Sequence, residues 1–145
     1  MGPFLPSYYK GKWTNIYLDG LQGNVKLFGS TINTIKDPLR AHVQSYIFSM
    51  DKITLQYLIN CEIFSLTNQA SSLQDAVWNK EVLMSRKIIE NEWNIGSLLP
   101  YYKGVDFTKS DFDKPWLDDI MYPSFRHTLW SEYELVFIKG NRVEV

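Results

Sequence analysis

The chain predicts an α+β fold: an antiparallel, meander-like β-sheet carrying one long central helix, followed by an irregular C-terminal segment that ends in a β-hairpin. Three observations predict it. Residues 53–63 alternate in polarity, residues 72–93 repeat with helical spacing, and Gly- and Asn-containing turns punctuate both ends. At 145 residues the chain fits one domain over 1–145, and a domain of this size buries roughly 70% of its unfolded surface.

In chain order, residues 13–18 and 24–28 flank Asp19-Gly20-Leu21-Gln22-Gly23, whose glycines mark a hairpin connection. Residues 42–49 read as a further strand. Asp37-Pro38 offers a competing helix start, with Leu39, Val43, Tyr46, Ile47 and Met50 at helical spacing. The strand is preferred because such a helix would collide with the next element. There Ile53, Leu55, Tyr57, Ile59, Cys61 and Ile63 alternate with Thr54, Gln56, Leu58, Asn60 and Glu62, the pattern of a half-buried strand, with Met50-Asp51-Lys52 as the preceding turn.

The middle helix spans residues 72–93. Ser72 and Asp75 resemble a capping box, while Asn94 and Gly96 supply the stop. It carries two apolar stripes. Leu73, Ala76, Val77, Leu83, Met84 and Ile88 form one, and Trp78, Val82, Ile89 and Trp93 form the other. One stripe suffices to hold a helix to a core. The second is therefore covered by residues 104–130 or, if bare, is a partner site or the seam of a homodimer. Residues 134–138 and 142–145 bracket Lys139-Gly140-Asn141 as the final hairpin. The similar segments LPSYYKG (5–11) and LPYYKG (99–104) read as two similar turns, because the resemblance stops there.

Composition narrows function. A net charge of −1 removes the cationic footprint of a nucleic-acid binder, so no direct nucleic-acid partner is expected. Cys61 is the only cysteine, which excludes an intrachain disulfide and suits a reducing compartment. The opening residues lack the charged and apolar regions of a secretory signal, Pro6 breaks the myristoylation pattern, and no window approaches the roughly 18 apolar residues of a membrane helix. A cytoplasmic protein is expected, without membrane association.

Catalytic and metal motifs are missing from the sequence: it has no nucleophile elbow, P-loop, dinucleotide-binding glycine pattern, HExxH or CxxC. Neither a cofactor nor a metal is therefore expected. Cys61 reads as a buried structural thiol on the apolar side of its strand. His42 reads as one polar side of a hairpin. His127, with Tyr122, Ser124, Arg126, Thr128 and Glu132 nearby, has the surroundings of a general acid–base group but is read as a polar residue at a loop or strand edge.

The most distinctive polar feature is residues 106–119, where five Asp face only Lys109 and Lys114. It fails as a calcium loop, because Asp111 and Leu117 occupy the positions that need Gly and Glu. Carboxylates that steer encounter, beside aromatics that bury area, suit a protein-binding surface, against the alternative of a solvated loop with its aromatics tucked inward. The expected partner-binding residues are Asp106, Asp111, Phe112, Asp113, Trp116, Asp118 and Asp119. Together these readings predict a non-enzymatic, immunity-type inhibitor that neutralises a basic protein such as a nuclease toxin.

The alternative is an apolar small-molecule binder with a pocket between sheet and helix. Gly11-Lys12-Trp13 resembles the G-x-W of lipocalins over those three residues, which implies a first strand at Trp13 and an internal ligand. The long middle helix and the small number of strands depart from an eight-stranded barrel.

Overall fold

A computed structural model describes residues 2–33, 41–63, 81–109, 124–125, 128–129 and 132–137. Its α+β architecture centres on a mixed three-stranded sheet rather than an antiparallel meander. In order, α1 is Trp13–Asp19, β1 Val25–Gly29, β2 Ile32–Asn33, β3 His42–Val43, β4 Phe48–Met50, α2 Lys52–Asn60, α3 Leu83–Glu90 and β5 Asn94–Ser97. A 3-10 turn, Pro100–Tyr102, follows, then β6 Ser124–Phe125, β7 Thr128–Leu129 and α4 Glu132–Leu135. The main sheet runs β4-β1-β5, with β4 antiparallel and β5 parallel to β1. β2 pairs with β3 and β6 with β7 as separate two-stranded ladders.

Alternation along β1 divides the core. Leu27 faces the larger cluster with Leu58, Met84, Ile88 and Ile95, so α2 and α3 cover that side. Phe28 faces Tyr17, Val136 and the partly buried Trp13 and Phe137, so α1 and the segment after α4 cover the other. The sheet is thus the middle layer.

Three expected strands or hairpins are replaced. Residues 13–18 are helix α1, because Trp13, Ile16 and Tyr17 share one face, and Gly20 closes this helix instead of turning a hairpin. Trp13 therefore opens no barrel strand, contrary to what the lipocalin resemblance implies. Gly23, at φ 55, makes the turn into β1.

The alternating segment 53–63 is helix α2 over most of its length. The Asp51 carboxylate accepts from the Thr54 N–H at 2.7 Å, an N-cap that the period-2 reading passed over as a turn. Thr54 and Leu58, one helical turn apart, are fully buried, while Ile53, Leu55 and Ile59 are left outside. Cys61 is the half-buried C-cap of this helix, not a strand residue. Residues 42–49 hold two short strands, as extended chain was expected to, but β4 pairs with β1 and β3 with β2.

The central helix is shorter than expected at its described end. Residues 64–80 lie outside the described residues; α3 ends at Glu90, and Glu92 at φ 63 reverses the chain. Asn94 and Gly96 belong to β5 rather than to a helix stop. A Cβ on Gly96 would approach Phe28 and Val25 to 3.1 Å, so the glycine permits close packing within the sheet. The final hairpin is not formed at its described side, since Glu134 and Leu135 close α4; residues 138–145 lie outside the described residues. Both LPxYK-type segments do turn: the Tyr9 N–H donates to the Pro6 carbonyl and the Lys103 N–H to that of Pro100.

Candidate functional site

The buried polar centre is built from β3 and the start of α3. Backbone N–H groups alternate in direction along a strand, so those of Val43 and Ser45 point away from β2 while that of Gln44 donates to Thr31. Among the described residues no strand receives the first pair. Ser85 Oγ accepts from Val43 N–H at 2.9 Å, and Glu81 Oε2 accepts from the Ser45 N–H and hydroxyl at 2.7 Å each. Glu81, in the turn just before α3, and Ser85 within α3 together accept from these N–H groups, so this stretch substitutes for a neighbouring strand.

The other Glu81 oxygen lies 3.4 Å from His42 Nε2, and His42 is 1% exposed. Burial pushes the Glu81 carboxyl up, but the bonds from His42 and Ser45 outweigh it and hold the group down at about 2. Within this cluster Ser45 donates to the carboxylate, not to the imidazole, and a carboxyl held so low is a weak proton acceptor. The arrangement fastens backbone; it is not the nucleophile–base relay of a hydrolase. No local pattern announces it, because His42 and Glu81 are 39 positions apart.

A second polar knot lies across the sheet. Tyr17 and Ser30 hydroxyls are hydrogen-bonded at 2.6 Å, one donating to the other, and the Leu135 carbonyl accepts within reach of both, at 3.2 and 2.7 Å. Burial raises the Tyr17 phenol to about 12, with the Ser30 hydrogen bond opposing. Tyr46 shares Thr31 with Gln44 and reaches the Phe137 carbonyl.

The candidate binding surface is apolar. β4 has a strand neighbour on one side only among the described residues. Beside it Phe48, Ser49, Met50 and Leu55 line an open trough of about 410 Å³. Leu55 and Ile59, one turn apart on α2, continue that surface and are 40% and 42% exposed; Ile53, on the opposite flank, is 73% exposed. These three belong to the six apolar residues whose alternation looked like a strand. The same pattern in a capped helix leaves part of the apolar set facing outward.

Of the expected acidic site, only Asp106 is described. Asn94 pins its neighbours, donating to the Val105 carbonyl at 3.0 Å and accepting from Phe107 N–H at 2.8 Å. Asp106 accepts from the Thr108 N–H at 3.0 Å and hydroxyl at 2.5 Å, bonds that draw its carboxyl below the usual range. Phe107 turns inward and meets Tyr102 edge-on, as the tucked-aromatic alternative has it. Asp111, Phe112, Asp113, Trp116, Asp118 and Asp119 lie outside the described residues, as does His127.

The register places Asp106 relative to the trough. Asn94 is level with Val25 and Met50 with Leu27, so Val105 and Phe107, held by Asn94, lie toward the end of the sheet where β4 passes into α2, with β1 between β5 and the β4 edge. On the second helix stripe, Val82 is buried and Ile89 and Trp93 pack against the core. Tyr57 of α2 meets Trp93 edge-on at 5.3 Å, so α2 covers part of this stripe; most of residues 104–130, the cover expected for it, lie outside the described residues. Trp78 lies outside the described residues. Among the described residues no helix is long and apolar enough to cross a membrane. Compared with known proteins, the chain matches no family model, no curated sequence and no solved structure.

Proposed function

We propose that this chain is a cytoplasmic, non-enzymatic protein-binding module whose partner is a basic protein, in the manner of an immunity-type inhibitor of a nuclease toxin. The observation that carries the reading is the apolar surface of the β4 edge and α2, with Leu55 and Ile59 exposed beside the trough of Phe48 and Met50. Apolar side chains grouped beside a half-paired strand are a recurrent means of engaging protein. Residues 106–119 add the charge that selects a cationic partner, and Asp106 lies at the same end of the sheet as this surface.

The test is binding to a panel of basic nucleases, read by biolayer interferometry at low and high salt. Asp111, Asp113, Asp118 and Asp119 changed together to Asn should weaken binding and flatten its salt dependence. Leu55→Ser with Ile59→Ser should weaken binding at every salt concentration, each set by roughly tenfold or more. Unchanged affinity in both sets would remove the reading.

The trough also supports a second reading, an apolar small molecule held between β4 and α2. Its volume is in the range of roughly 300–1,000 Å³ that ligand pockets occupy. Native mass spectrometry of the freshly purified chain decides it: an added mass lost on Met50→Glu supports a ligand, and a bare chain mass removes it.

A further inference from the structure

We draw no further inference here: the strongest candidate, the apolar trough between the β4 edge and α2 with Leu55 and Ile59 exposed beside it, belongs to the surface already described, and nothing in the structure shows what covers it.

Discussion

His42 and Glu81 lie 3.4 Å apart in a buried corner, and through that pair the first turn before α3 holds the edge of β3. Because the Glu81 carboxyl sits at about 2, below its ordinary 4.5, it stabilises the folded chain whenever it is ionised. The contribution is fully present above pH 4.5 and disappears as pH falls toward 2; it is on the order of 3 kcal/mol. Urea unfolding of the native chain between pH 7 and 3 should show this acid limb. Glu81→Gln should lower stability at pH 7 by about 2–3 kcal/mol and flatten the limb. An equally steep limb in the variant would mean that other carboxylates cause it.

Tyr17 is predicted to act at the opposite end of the pH scale. Its phenol is raised to about 12 by burial, so its neutral form stabilises the fold below pH 10, and that stability is lost as pH climbs from 10 to 12. Tyr17→Phe removes the hydroxyl bonded to Ser30 beside the Leu135 carbonyl and should cost about 1–2 kcal/mol at neutral pH, while weakening the alkaline loss. Thermal unfolding at pH 7 and at pH 10.5 measures both.

The cap of α2 gives a local test. Asp51→Ala removes the acceptor of Thr54 N–H and should lower stability by about 1 kcal/mol, seen as a lower Tm with unchanged spectra at room temperature. Asp51→Ser, which restores a capping oxygen, should recover most of the loss. No difference between the two variants would show that the carboxylate does not cap.

Gly29 is predicted to be intolerant. A Cβ there would lie 2.5 Å from Val43 Cγ1 and 2.7 Å from the Ile47 carbonyl, and a backbone oxygen cannot swing aside. Gly29→Ala should therefore destabilise by about 2–3 kcal/mol. Gly23→Ala, with no atom near its Cβ, should cost less, its penalty coming from the positive φ alone. Equal Tm values for the two would contradict the packing described for β1.

The α+β class and the buried face of α3 at Met84 and Ile88 were legible from local periodicity, and strand β1 from the glycine-marked turn before it. The segment at 53–63 misled for a physical reason. Its alternation is real, but the Asp51 cap, the burial of Thr54 and the packing of Leu58 in the cluster of Leu27 and Ile88 favour a helix, at the cost of exposing Leu55 and Ile59. The apolar trough was illegible for the same reason, since it exists only where β4 meets the helix that the pattern concealed. Of the candidate acidic site, the sequence showed composition alone; the pinning of Val105 and Phe107 by Asn94 came from the fold.

Residue types alone establish what kinds of interaction this protein can make: many aromatic rings, near-neutral charge, one cysteine and a concentrated acidic stretch. Folding does not change those properties. Which groups meet is a matter for the folded chain. Glu81 finds Ser45 and His42, Asn94 finds Phe107, and Leu135 finds Tyr17 and Ser30. Such partners are distant along the chain, and their pairing depends on how backbone groups buried in the core find a donor or acceptor, a condition that no local pattern encodes.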